Sequence, residues 1–65
     1  MSRAERYKHL VGKTIRIESM PNEPRERDYI GKEGEVLFVD DMGDLHGTWG
    51  GLALIPNVDS WSVLD

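Results

Sequence analysis

The side chains with most chemistry to offer in this sequence are cations and aromatic rings. Arg16, Arg25, Arg27 and Lys32 fall in one stretch with Tyr29 among them, and His46 and Trp49 follow in "DLHGTWGG". Guanidinium forks match pairs of phosphate or carboxylate oxygens, and a lysine adds a point charge. An open Tyr or Trp face stacks on a planar ring. These types point to a small anionic ligand such as a nucleotide, with the cations on its phosphates and Tyr29 or Trp49 on its base. Arg3 and Arg6 ride on the polar side of an N-terminal helix and enter only if that helix borders the pocket. The competing account of the cations is solvated pairing with Glu5, Glu18, Glu23 and Glu26.

Catalysis finds little support. Ser2, Ser19, Ser60 and Ser62 lack a Gly-x-Ser-x-Gly elbow, and neither His9 nor His46 comes with a nucleophile partner. Asp40 and Asp41 could do acid–base work in principle, but at a solvated turn they keep ordinary acidity. "DDMGDLH" gathers Asp40, Asp41, Asp44 and His46, yet it lacks calcium-loop spacing with its terminal Glu, and zinc asks for more His or for Cys. The expectation is a non-catalytic protein with no metal and no cofactor.

Charge is divided unevenly along the chain. All eight Lys and Arg lie in residues 1–32 against five acids, whereas residues 33–65 hold seven acids and no Lys or Arg, for a net charge of −4. An acidic total disfavours duplex nucleic acid, which needs an extended basic face; a small anion needs only two or three cations. There is no Cys, as suits a reducing compartment. The longest apolar runs, "VLFV" and "LALI", fall far short of the ~20 residues of a membrane span, and "MSRAERYKHLVG" is no signal peptide. The sequence reads as cytoplasmic, with no membrane partner.

The elements that must position these residues follow from period and punctuation. "SRAE" is a capping box that starts a helix over 2–11, with Ala4, Tyr7, Leu10 and Val11 on one face and Gly12 ending it. "KTIRIES" alternates, sending Ile15 and Ile17 inward. "MPNEPRERDYIGKEG" is a long irregular loop, "EVLFV" a second strand, and "DDMG" a type I turn from Asp40 to Gly43. "DLHGTW" and "LALIP" are strands joined through Gly50 and Gly51, "PNVD" is a turn, and "SWSVL" a last strand. The fold class expected is mainly β: residues 1–65 as one domain, a small five-stranded SH3-like antiparallel barrel over 13–65 with a short N-terminal helix. An OB-like barrel is the rival, disfavoured because the two-glycine link leaves no room for its helix.

Trp49 admits two readings. Leu45, Gly47 and Trp49 share a face of one strand, which makes Trp49 a core ring covering the Gly47 backbone; at the barrel rim it would be a stacking platform instead. Tyr29 is equally open between stacking on a ligand and anchoring its loop. "VLFV" and "LALI" are apolar on both faces, and so small a barrel has room inside for one. The surplus, Leu37 and Phe38 with the outer side chains of 52–55, predicts a homo-oligomer, most simply a two-fold dimer. A 65-residue chain buries only about 60% of its unfolded surface, which also favours self-association. The alternative is a β-bulge that turns Leu37 and Phe38 both inward.

The run "GKTIRIESMPNEP", then "GKEGEV", then "DDMGDLHGTWGGLALIPNVD" resembles the small domain-of-unknown-function family forty-three fourteen, over about residues 12 to 60. The sequence departs from it after the Trp, where Gly50 and Gly51 replace an Asp-Asn-Gly-type turn. The resemblance implies a small β-barrel in a bacterial, phage or mobile-element protein, and no established activity. Two functions remain. One is a phage or mobile-element module that sequesters a small anionic host molecule, such as a nucleotide immune signal, at a subunit interface. The other is an SH3-like protein-interaction or nucleic-acid-associated adaptor, contacting its partner through the long loop and the acidic hairpins.

Overall fold

The computed structural model describes residues 2–64, with Arg3 described in its backbone alone. The expected place of the Arg3 side chain on the helix therefore lies outside the described residues. Ser2 caps the first helix, α1 (Arg3–Tyr7), its Oγ accepting the Glu5 N–H at 3.2 Å. The helix does not run on evenly to residue 11. It tightens into a 3-10 turn over Lys8–Leu10, a common ending for short helices. Leu10 is thereby buried, while Val11, expected on the apolar face, has left the helix (ψ 127°) and is exposed. Gly12 takes φ +89° and its N–H donates to the Val36 carbonyl, stitching the helix exit to the sheet.

Five antiparallel strands form one sheet: β1 (Thr14–Ser19), β2 (Glu33–Val39), β3 (Leu45–Gly47), β4 (Gly50–Leu54) and β5 (Ser60–Val63), in the order β4-β3-β2-β1-β5. The protein is thus mainly β with a short N-terminal helix, as its alternating runs predict. The sheet does not close into a barrel, and β4 and β5 stand at its two edges. With three residues in β3 and four in β5, the strands leave little length for the tilt and stagger that closure requires.

Ile15 and Ile17 point inward from β1 and Val36 from β2, and the core is completed by Leu10, Met20, Tyr29, Leu45, Trp49 and Leu54. Met20, read as the start of a loop, is almost wholly buried. The β3–β4 link lies two residues earlier than the two glycines suggest. Gly47 pairs with Gly50, so Thr48 and Trp49 make the turn and Gly51 belongs to β4. Thr48 explains the shift, because its N–H donates to the Glu35 carbonyl at 3.1 Å while its Oγ1 accepts the Glu35 N–H at 3.0 Å. A bulge does interrupt β2, between Val36 and Phe38, but with the opposite outcome to that considered above. Leu37 and Phe38 both face solvent, 52% and 53% exposed.

Candidate functional site

The long loop between β1 and β2 is ordered by its own backbone. The Glu23 N–H donates to Met20, the Tyr29 N–H to Glu26 through a 3-10 turn (Glu26–Asp28), and the Gly31 N–H to Ile17. This folding drives the Tyr29 ring inward to 8% exposure, where it lies against Gly50; a Cβ placed on Gly50 would meet the ring at 3.2 Å. Tyr29 is therefore the anchor of its loop.

Two cations converge on that anchor. Arg25 donates from Nη2 to the Tyr29 hydroxyl at 2.9 Å, and its guanidinium carbon lies 5.6 Å from the ring centroid. Lys32 Nζ lies 5.4 Å from the same centroid and donates to the Trp49 carbonyl at 3.3 Å. Both side chains are exposed, and each is held by a neutral oxygen and an aromatic quadrupole rather than by a carboxylate. Among the described residues the ion pairs are elsewhere, Arg16 with Glu33 and His46 with Asp40.

The other candidates do not join this group. Arg16 is spent on Glu33 Oε2, at 3.2 Å from Nε and 3.1 Å from Nη2, across the exposed face of β1 and β2. Arg27 borders an open depression with Glu23, Pro24, Glu26 and Ile30, whose two acids offset its charge. Trp49 is 3% exposed, its indole N–H donating to the Leu52 carbonyl at 2.7 Å, so it serves the site through its main-chain oxygen and not as a platform.

His46 sits in the β2–β3 hairpin, apart from the Tyr29 cluster in sequence and in its contacts. Its Nε2 meets Asp40 Oδ2 at 2.8 Å, and its ring stacks on Phe38 with centroids 4.5 Å apart and planes within 4°. Asp40 Oδ1 also accepts the Met42 and Asp44 N–H groups, each at 3.0 Å, and Gly43 (φ +87°) completes the turn by donating to the Asp40 carbonyl. The hydrogen bond from His46, then that from the Asp44 amide with a lesser one from Met42, hold the Asp40 carboxyl below its ordinary range against the opposing effect of burial. Sequence reasoning placed Asp40 at the first turn position but missed its tie to His46. The signal was present, since residues flanking a short hairpin on one side come within reach of each other. Among the described residues, no three His, Asp or Glu side chains stand close enough together to hold a metal ion.

A family model described as a domain of unknown function (DUF4314) matches residues 4–64. No curated protein matches the chain, and no solved structure does.

Proposed function

From the premise that the chain belongs to the DUF4314 family, we propose that it is a non-catalytic binding module for a small phosphate-bearing anion. The observation that carries this reading is the Arg25–Tyr29–Lys32 cluster. Two cations are positioned by a phenol, a carbonyl and a ring face, none of which neutralises them. A cation oriented by neutral groups has already lost part of its rotamer freedom, so it gives up less on meeting a ligand, and it keeps its full charge for that ligand. Burial of Trp49 and Tyr29 leaves recognition to the charged groups of the ligand rather than to stacking on a base.

The cluster is open, and two side chains enclose little of a ligand. The same reading therefore has a second copy of the chain closing over the site, and the protein acting as a cytoplasmic homo-oligomer. An SH3-like classification, resting on the long first loop and the tight later turns, belongs to this proposal. So does the phage or mobile-element setting, in which such a module sequesters a host signal.

Calorimetric titration with pyrophosphate and a panel of linear and cyclic nucleotides tests the reading. Binding should weaken with added salt and fall about tenfold or more when Arg25 and Lys32 are both changed to Gln, since charge-assisted bonds are worth roughly 1.5–3 kcal/mol each. Arg16→Gln should leave it unchanged. No heat from any member of the panel with folded protein, or affinity indifferent to the double change, overturns the proposal. Sedimentation that finds only monomer with ligand present removes the second copy from it.

A further inference from the structure

The β2–β3 hairpin displays apolar side chains that the fold does not use. Leu37 and Phe38 are consecutive residues that both face solvent because the bulge after Val36 breaks the alternation of β2, and Met42 at the hairpin tip is 68% exposed. Bulges re-aim side chains, and this one aims an aromatic ring away from the core.

Phe38 is nevertheless held in place. Its ring lies flat on His46, His46 is fixed by Asp40, and Asp40 is fixed by the Met42 and Asp44 amides. An exposed aromatic that is already ordered forfeits little entropy when a partner covers it, which is the property of an interface anchor.

The surroundings of the anchor select the partner. Glu35, Asp40, Asp41 and Asp44 belong to the same hairpin, which carries no Lys or Arg of its own, and against these four acids the adjoining chain brings Lys13 alongside Val36, where its carbonyl accepts the Val36 N–H. Two copies meeting here about a two-fold axis would bring both sets of acids together. Three apolar side chains also offer far less than the roughly 800 Å² per partner that a stable protein pair buries. A short segment of opposite charge fits on both counts.

We propose that Leu37, Phe38 and Met42 form a docking surface for a cationic amphipathic segment of a partner protein, its aliphatic side chains on Phe38 and Leu37 and its Lys or Arg residues beside the hairpin carboxylates. The proposal is independent of the anion site, which lies on the β1–β2 loop.

The test uses the whole protein and three synthetic probes: a short amphipathic peptide of Leu and Lys, the same peptide with Glu for Lys, and the same peptide with Ser for Leu. Nuclear magnetic resonance titration should show the Leu/Lys peptide alone shifting the Leu37 and Met42 methyl signals. Phe38→Ala and Leu37→Ser, both at exposed positions, should each weaken its binding about tenfold, the usual effect of losing an anchor. Arg25→Gln should not change it. The proposal fails if the Leu/Lys peptide does not bind, if Phe38→Ala binds it as well as the parent does, or if the Ser or Glu peptide binds equally. It also fails if sedimentation shows a dimer of the parent protein that Phe38→Ala dissociates, since the surface then belongs to a second copy.

Discussion

The indole of Trp49 lies on the backbone of Gly47 so closely that there is no room for a methyl group between them. A Cβ built on Gly47 would overlap ring carbons of Trp49, Cη2 among them at 2.6 Å, and the main-chain oxygen of Glu35. The same residue crowds Gly34, where a Cβ would lie 2.7 Å from Thr48 Oγ1, 2.9 Å from the Trp49 main-chain nitrogen and 3.1 Å from the ring carbon Cε3. One tryptophan in a two-residue turn thus roofs two strands, and the two glycines are the space it occupies.

Gly47→Ala should accordingly destabilise the fold by about 1–3 kcal/mol, the cost of overpacking where the neighbour is backbone and cannot yield. Gly34→Ala should act in the same direction. Gly51→Ala is the control, because a Cβ there meets nothing within 4 Å and φ is not positive. It should be neutral or stabilise by about 0.4–1 kcal/mol through the unfolded chain. Urea unfolding of the three variants checks the order; a Gly47→Ala protein as stable as Gly51→Ala contradicts the roof.

How much of this was legible follows from which residues act locally. The Ser2 cap, the alternation of Ile15 and Ile17 and the Asp40–Gly43 turn depend on neighbours in sequence, and each stands where the sequence placed it. The Thr48–Trp49 turn depends on Glu35, a residue of another strand, and so the glycine pair pointed two residues too far along. Trp49 is the core ring that one of its two sequence readings expected, but it reaches the core from the turn after β3 and not from a strand face shared with Leu45 and Gly47. The union of Arg25 and Lys32 on Tyr29 was not legible, because spacing in an irregular loop has no period, and the choice of Arg25 over Arg16 turns on where Glu33 falls in the register of β1 and β2.

Trp49 carries a second task that Phe cannot perform. Between the Leu45–Leu54 and Gly47–Gly50 pairs the β3–β4 register shifts, and the Leu52 carbonyl takes its hydrogen bond from the Trp49 indole. Trp49→Phe keeps an aromatic ring in the roof but strands that carbonyl. It should cost about 1–3 kcal/mol, the usual consequence of an unsatisfied polar group, and speed hydrogen exchange in β4. Exchange in β4 no faster than in the parent counts against this use of the indole.

Tyr29→Phe separates the two roles of the tyrosine. The ring still anchors the loop against Gly50, so circular dichroism should be unchanged, while Arg25 loses the hydroxyl that orients it. Anion affinity should fall a few-fold, in keeping with the ~0.5–1.5 kcal/mol net value of one hydrogen bond. An unchanged affinity would place the anion away from Arg25.

The Asp40–His46 pair predicts how stability responds to acid. Asp40 titrates below its ordinary value of 3.8 in the folded protein, first because of the His46 hydrogen bond and then because of the Asp44 and Met42 amides. A carboxylate whose folded value is depressed binds protons more readily when unfolded. Its contribution to stability is therefore complete above the unfolded value and is lost as pH falls through the folded one. Asp40→Asn should be less stable than the parent at neutral pH, and the difference should hold down to about pH 5 and shrink below that as the parent's carboxylate is protonated. His46→Ala removes the largest cause, so the Asp40 carboxyl carbon, followed by nuclear magnetic resonance, should titrate nearer the ordinary value. Stability curves of Asp40→Asn and the parent that stay parallel down to pH 2 would show that the hairpin does not depend on the ionised form of Asp40.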